Sequence, residues 1–355
     1  MVGHIAGAGL FALVVTGCGA GGSAPGNGGR AGESPAPVAL PVDTTIRQAT
    51  WSGRDGTYQM KVAPKRLARG PAADLANVRL DDDLKNTVPY YLTVSYINSG
   101  SEAVPQPKPE ANFTVTLSDG TPGEAISLWN TNFLATGSSG DTVEKCGKSG
   151  AKMIPAGATA TVCQLVMLPK GRTPATVAYS DEAGDTLLWK VGDGEGDDAG
   201  LLDAGETADS SWKDTKGGSA PLRVTPKSIR AGTLADLGDY DLSGESKNLV
   251  PWYVTMEYRN DGSVKVLPVM DEGVGLRSAA GQEVQPLSLV DLSPSGARQG
   301  QGVDQCRGTI PNTRLEPHST VTLCSVHLLP KGDRPVMVSF ESEEEQTEPL
   351  MWRAS

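Results

Sequence analysis

Residues 89–100, Pro-Tyr-Tyr-Leu-Thr-Val-Ser-Tyr-Ile-Asn-Ser-Gly, decide the fold because residues 251–262 repeat them as Pro-Trp-Tyr-Val-Thr-Met-Glu-Tyr-Arg-Asn-Asp-Gly. Each copy begins with a proline, alternates apolar positions and ends in an Asn-x-Gly turn signal, which is typical of a β-strand. The even-numbered positions are apolar in both copies, so we expect them to face a core. The odd-numbered positions, which include Tyr91 and Tyr253, are predicted to face solvent.

The repeat extends over most of two halves of the chain. Further matching pairs are Trp51 with Trp212, residues 168–171 with 329–332, and Trp189 with Trp352. A chain of 355 residues is long enough for two domains. We therefore predict a head-to-tail duplication, with one lobe at residues 51–191 and a second at 211–355.

Each half contains seven short segments with strand character, separated by Gly and Pro turn signals. In the first lobe they cover residues 57–63, 90–97, 111–117, 125–129, 159–168, 174–180 and 186–191. In the second lobe they cover residues 221–225, 252–259, 272–277, 284–290, 319–328, 335–341 and 348–353. This pattern predicts an all-β fold of two tandem immunoglobulin-like antiparallel β-sandwiches. A closed barrel is the alternative that the pattern leaves open.

The N-terminal segment has the features of an export signal. Residues 1–17 contain a short apolar run and end in Val-Thr-Gly before Cys18, which resembles the lipobox of bacterial lipoproteins. The resemblance implies cleavage before Cys18 and attachment of a diacylglycerol to its thiol, on the extracytoplasmic face of the cell membrane. The basic residues that usually precede the apolar run are missing. An ordinary secretory signal with a chance cysteine is the alternative.

Residues 18–50 are rich in Gly, Ala, Ser and Pro and contain few bulky apolar side chains. Such a segment cannot offset its ordering entropy, so we expect a flexible tether between the lipid and the folded lobes. Two acyl chains hold a protein at a membrane that one chain holds only weakly. No other stretch is long and apolar enough to predict a membrane-spanning helix.

Apart from Cys18, the chain has four cysteines, two in each lobe. Since each lobe holds one matching pair, we predict the disulfides Cys146–Cys163 and Cys306–Cys324 in an exported protein. The second cysteine of each pair alternates with apolar residues and is predicted to face the core. A four-cysteine metal site is the rival interpretation, and the lack of a Cys-x-x-Cys motif disfavours it.

The net charge of −11 is concentrated between the lobes. Residues 192–210 contain seven carboxylates and no Lys or Arg, and we expect a solvated acidic linker. The EF-hand spacing is not matched, so weak calcium binding is only an alternative. An acidic chain without a basic stripe disfavours nucleic acid as a partner.

Motifs for catalysis, metals or cofactors are lacking. His318 and His327 have no evident nucleophile or ligand partner, so both are interpreted as surface residues. Ser149 and Lys152 match the Ser-x-x-Lys motif of acyltransferases, but its companion motifs are absent and the match is interpreted as chance. We predict that the protein is not an enzyme and has no cofactor or metal site.

Aromatic side chains offer the remaining candidate interaction surface. Tyr91 and Tyr253 are predicted to face outward in both copies, and Trp129 lies in a loop-rich part of the first lobe. Such residues can anchor a partner, although single exposed aromatics are common.

The repeated Pro-[Tyr/Trp]-Tyr-x-Thr-x-x-Tyr-x-Asn-x-Gly pattern, after an export signal and a tether, resembles actinobacterial lipoproteins. It is also similar to secreted immunoglobulin-like domains of the telokin-like and immunoprotective extracellular antigen groups. The resemblance implies a lipid-anchored, non-catalytic binding or envelope-interaction module, and it supplies no catalytic residues. The alternative is an accessory lipoprotein that captures a small ligand or metal ion between its lobes.

Overall fold

The structure is a computed structural model that describes residues 37–75, 80–126, 146, 152–181, 184–197, 199–238, 248–287, 306, 314–342 and 348–354. The signal segment, Cys18, most of the tether, Trp129 and Ser149 lie outside these residues. Residues 35–355 form one compact unit. The described part is almost entirely antiparallel β-structure, which confirms the predicted all-β class.

The first lobe contains two main sheets. Its elements are β1 (Val38–Leu40), β2 (Arg47–Gly53), β3 (Gly56–Arg69), β4 (Thr87–Asn98), β5 (Val104–Pro105), α1 (Pro109–Asn112), β6 (Phe113–Leu117), β7 (Glu124–Ile126), β8 (Met153–Ile154), β9 (Thr159–Pro169), β10 (Pro174–Tyr179) and β11 (Leu187–Lys190). One sheet has the order β1-β3-β4-β9-β7, and β2 also pairs with β3. The other has the order β11-β10-β6, while β5 and β8 form a separate short ladder.

The second lobe repeats the main strands of this arrangement, and among its described residues no strands correspond to β1, β5 and β8. Its strands are β12 (Ala208–Lys213), β13 (Ser219–Ala231), β14 (Leu249–Asn260), β15 (Val274–Ser278), β16 (Glu283–Val284), β17 (Thr320–Pro330), β18 (Pro335–Phe340) and β19 (Leu350–Arg353). The sheets have the orders β12-β13-β14-β17 and β16-β15-β18-β19. The short strand β16 therefore joins the sheet opposite to that joined by its counterpart β7.

The two sheets of each lobe pack face to face on a hydrophobic core. In the first lobe, the ring of Phe113 on β6 lies 5.8 Å from that of Tyr96 on β4 and 5.9 Å from that of Trp189 on β11. In the second lobe, the ring of Tyr258 on β14 lies 5.4 Å from that of Phe340 on β18, which belongs to the opposite sheet. Rings at such separations contribute beyond their buried area, so they help to fix the sheet spacing.

The duplicated strand supplies the core as predicted on its even-numbered positions. Tyr90, Leu92, Val94 and Tyr96 are buried in the first core, and their counterparts on β14 are buried in or packed against the second. The two copies of the strand, β4 and β14, also end in the same way. Asn98 and Asn260 are fully buried, and each accepts a hydrogen bond from the glycine N–H two residues later at 2.9 Å. This contact explains the repeated Asn-x-Gly.

The predicted flexible tether is wrong for its last part, because residues 38–50 belong to the first lobe. β1 pairs with β3, and Val42 forms a bridge with Val191. The indole N–H of Trp189 donates to the backbone oxygen of Thr45 at 2.7 Å. The amino-acid composition of this segment did not predict these contacts, because they are made mainly by backbone groups and by isolated apolar side chains.

The predicted acidic linker is solvated at most of its carboxylates, but it is not separate from the lobes. The Asp197 carboxylate accepts a 2.6 Å bond from Arg172 of the first lobe. Leu202 bridges Trp352 of the second lobe, whose indole N–H donates to Glu206 O at 2.9 Å. The segment is thus attached to both lobes, through one ion pair at Asp197 and through backbone contacts at Leu202 and Glu206.

Candidate functional site

The predicted outward tyrosines are not an exposed surface. Tyr91 is 3 % and Tyr253 is 1 % exposed. Tyr91 packs with Leu75, Leu165 and Met167 in a small apolar cluster on the outer face of its sheet. The second lobe builds the same outer cluster around Tyr253. The duplicated strand is therefore buried on both sides at Tyr91 and Tyr253, where strict alternation is wrong, whereas Arg259 is exposed as predicted.

Each tyrosine hydroxyl bonds a carboxylate from a nearby 3-10 helix. Tyr91 donates to Asp74 at 2.7 Å, and Tyr253 donates to Asp236 at 3.2 Å. Burial and the neighbouring carboxylate raise the pKa of Tyr91 far above its ordinary value, and they raise the pKa of Tyr253 to about 12. Both tyrosines are therefore neutral hydrogen-bond donors with a structural role.

Both predicted disulfides are present, with Cα–Cα distances of 5.1 Å for Cys146–Cys163 and for Cys306–Cys324. The predicted side of the strand is wrong, because Cys163 and Cys324 belong to the outer clusters and not to the sandwich cores. The disulfides thus attach Cys146 and Cys306 to the outer face of each sheet. Near each of these cysteines, the strand is buried both on the sandwich core and on the outer cluster. The alternation of apolar residues therefore could not show which side the cysteine faces.

His327 is fully buried, so its prediction as a surface residue is wrong. Its Nε2 lies 2.9 Å from the Ser325 hydroxyl, and its Nδ1 lies 3.3 Å from Val284 O. Burial lowers the pKa of His327 to about 4. The imidazole is neutral at pH 7 and satisfies buried polar groups. A Ser–His pair with no access to solvent cannot act on a substrate.

His318 is exposed in a turn, as predicted. Its φ of 61° places it in the left-handed region, where the first lobe has Gly157 at φ 71°. The alignment of the two turns therefore holds in detail, and His318 occupies a backbone conformation that favours glycine.

The lobes meet through equivalent turns. Gly120 follows β6 and Gly281 follows β15, and both have positive φ angles of 77° and 90°. A Cβ atom on Gly120 would overlap the backbone oxygen of Ser278, and one on Gly281 would lie 3.4 Å from Gly120 O. The buried Thr116 hydroxyl donates across the junction to Ala279 O at 2.7 Å. Only glycine permits this backbone approach.

A second contact flanks these turns. The Thr186 N–H donates to Lys331 O at 2.8 Å, and the Lys331 ammonium lies 3.2 Å from the Asp185 carboxylate. A Cβ on Gly332 would overlap Thr186 O, whereas its counterpart Gly171 has open space around it. The same loop is therefore packed at the junction in one lobe and uncovered in the other.

Arg172 and Asp333 occupy equivalent positions in the two lobes and stabilise equivalent turns. Arg172 does so as a cationic donor, and Asp333 does so as an acceptor. Arg172 bonds the Asp119 carboxylate at 3.3 Å. Asp333 accepts a hydrogen bond from the Ala280 N–H at 3.2 Å. Burial alone would raise the pKa of Asp119, but bonds from Thr121 and the Arg172 charge lower it below its usual value. Burial raises the pKa of Asp333 despite its three hydrogen bonds.

A cleft of about 460 Å³ lies beside the Thr186–Lys331 contact, between the two lobes. Its hydrogen-bonding side chains are Ser52, Asn112, Ser180, Asp181 and Thr186 from the first lobe, and Asn248 and Gln282 from the second. The Asp181 carboxylate accepts bonds of 2.9 Å from both the N–H and the hydroxyl of Ser52. Sequence patterns gave no signal for this site, because none of its residues belongs to a motif.

Among the residues that the structure describes, no three His, Cys, Asp or Glu side chains converge as a metal site. Within those residues, no helix has the length and apolar character needed to span a bilayer. The described residues therefore offer the interlobe cleft as the candidate binding site.

Comparison with known proteins gave no assignment, because no family model, curated protein or solved structure matches the chain.

Proposed function

We propose that this protein is a lipid-anchored, extracytoplasmic binding module without catalytic activity. The observation that carries the proposal is Cys18, placed directly after a short apolar run and two small residues. Two disulfides in the folded part support export, since such bonds persist in oxidising compartments. The resemblance to actinobacterial lipoproteins belongs to the same proposal.

We also propose that both lobes are immunoglobulin-like. In the first lobe, β3, β4, β9 and β7 form one sheet and β6, β10 and β11 the other. This order corresponds to strands A, B, E and D against C, F and G of a constant-type immunoglobulin domain. In the second lobe, β16 moves to the opposite sheet. The strand order thus supports the assignment, with β2 and β12 as added N-terminal strands.

The anchor is tested by mass spectrometry of the membrane fraction from the producing cells. The expected N-terminus is a diacylated Cys18, and a Cys18→Ser variant should appear in the medium with both disulfides formed. An uncut N-terminus, or a wild-type chain recovered only from the medium, would contradict the proposal.

A second candidate function, capture of a small ligand between the lobes, is favoured by the cleft. Neither Tyr91 nor Tyr253 lines the cleft, so the candidate interaction surface predicted at these tyrosines does not support this function. The cleft volume falls within the range of about 300–1,000 Å³ that small-molecule sites occupy. Its two walls come from different lobes, and the Thr186–Lys331 contact holds them together.

A further inference from the structure

The lining of the interlobe cleft is rich in neutral hydrogen-bonding groups. Asn248 and Gln282 of the second lobe line the cleft together with Ser180 and Thr186 of the first lobe. Within the described chain, neither carboxamide has a side-chain hydrogen-bond partner. The two hydroxyls lie 3.3 Å apart and share one bond, which leaves acceptor capacity on both oxygens.

These groups are positioned by backbone contacts. The Gln282 N–H donates to the Ser278 hydroxyl at 3.1 Å, and its backbone oxygen accepts from the Ser278 N–H at 2.9 Å. The Asn248 backbone oxygen accepts from the Lys331 N–H at 2.8 Å. Their side chains therefore project from fixed backbone positions, which reduces the ordering cost of binding.

The charge of the cleft restricts its ligand. Among the described lining residues there is no Lys, Arg or His, and Asp181 is the one carboxylate. Asp181 accepts hydrogen bonds from Ser52 and from the Asn112 amide, so local donors already compensate its charge. An anionic ligand would be repelled without a compensating cation. A cation would have to displace existing bonds to reach the carboxylate.

The types of side chain in the lining restrict the class of ligand further. No aromatic side chain is found among the described lining residues, and their large apolar groups are limited to Leu249 and Pro330. The described lining residues therefore provide no aromatic surface on which a flat ring of a ligand could stack. Hydroxyl and carboxamide groups that both donate and accept are suited to vicinal hydroxyls, each of which also donates and accepts.

We infer that the interlobe cleft binds a neutral polyhydroxylated ligand of mono- or disaccharide size. This inference rests on the ligand-capture function proposed above. Gln282 and Asn248 provide hydrogen bonds from the second lobe, and Ser180 and Thr186 provide them from the first. A bound ligand then bridges both lobes beside the Thr186–Lys331 contact.

The test is calorimetric titration of the full-length chain, purified in a detergent without a sugar headgroup. The probes are glucose, galactose, N-acetylglucosamine and maltose, with glucose 6-phosphate and trialanine amide as class controls. We expect saturable binding of at least one neutral sugar. Loss of one hydrogen bond in Gln282→Ala or Asn248→Ala should weaken it about five- to tenfold. Gln48→Ala is the matched control, because Gln48 is exposed on β2 and outside the cleft lining.

The outcomes separate this inference from the function on which it rests. Binding of no neutral sugar, tighter binding of glucose 6-phosphate, or binding unchanged in both cleft variants would overturn the saccharide assignment. If trialanine amide binds instead and depends on Gln282, the ligand class is wrong and ligand capture at the cleft stands. If no probe binds, both the ligand class and the capture function are rejected, while the lipid anchor is judged separately at Cys18.

Discussion

Gly120 and Gly281 occupy equivalent positions in the two lobes and lie against each other where the lobes meet, with the Gly281 Cβ position 3.4 Å from Gly120 O. The two lobes therefore contact each other through two copies of the same turn of the repeat. Because the same turn is used twice, the contact resembles that of a symmetric dimer whose subunits have been joined in one chain. The flanking Thr186–Lys331 bond makes the junction asymmetric.

The importance of this junction can be measured with an internal control. Gly332 and Gly171 are equivalent and have φ angles of 89° and 87°, so alanine strains both backbones to a similar degree. Only at Gly332 would the added Cβ overlap the opposite lobe, at Thr186 O. We expect Gly332→Ala to lower the free energy of unfolding by about 1–3 kcal/mol more than Gly171→Ala, as for other overpacked sites. Urea denaturation is the measurement, and equal losses would contradict the role assigned to Gly332.

Buried His327 predicts a loss of stability in mild acid. Its folded-state pKa of about 4 lies below the ordinary 6.5, so the unfolded chain binds the proton first as the pH falls. The stabilisation is present above pH 6.5 and decreases towards pH 4, by up to about 3 kcal/mol. In His327→Val, which introduces the residue found at Val166 of the first lobe, this part of the pH dependence should disappear. Exposed His318→Gly is the control and should retain it in thermal unfolding between pH 4 and 7.

For buried Asp271 we expect the opposite trend, a loss of stability as the pH rises. Burial raises the pKa of Asp271 to about 6, above the ordinary 3.8, so the folded state binds the proton more tightly than the unfolded chain. Its contribution is favourable below pH 3.8 and is lost as the pH rises through 6. Asp271→Asn should therefore raise the melting temperature at pH 7.5 and leave it nearly unchanged at pH 3.5. Glu272→Gln, at the exposed neighbouring residue, should show no such difference.

Removal of a tyrosine hydroxyl is expected to have different costs in the two outer clusters and in the first sandwich core. Tyr91→Phe breaks a 2.7 Å bond to Asp74 and should cost about 1.5–3 kcal/mol, since the acceptor is charged. Tyr253→Phe breaks a longer bond of 3.2 Å and should cost less. Tyr96→Phe is the control, because the described chain offers its buried hydroxyl no partner and its removal should be neutral or stabilising. Chemical denaturation gives the order, and a Tyr96→Phe loss as large as that of Tyr91→Phe would contradict it.

Local sequence signals predicted the regular strands well. The predicted range 159–168 corresponds to β9 at Thr159–Pro169, and 335–341 corresponds to β18 at Pro335–Phe340. Both disulfide pairings followed from the duplication and are present. The errors concern positions where two faces of one strand are buried, such as Tyr91, and segments that pack through backbone bonds, such as residues 38–50.

By itself, the sequence determined the duplication, most of the sandwich strands and the cysteine pairs, because each depends on alternation, turn residues or matching positions within one segment. It did not predict β2 or β12, which pair at the edges of the sheets. The tertiary structure decided which apolar side chains form the sandwich cores and which form the outer clusters. It also decided how Gly120 meets Gly281 and which polar side chains line the cleft. These features depend on contacts between residues far apart in the chain, and no local pattern encodes such contacts.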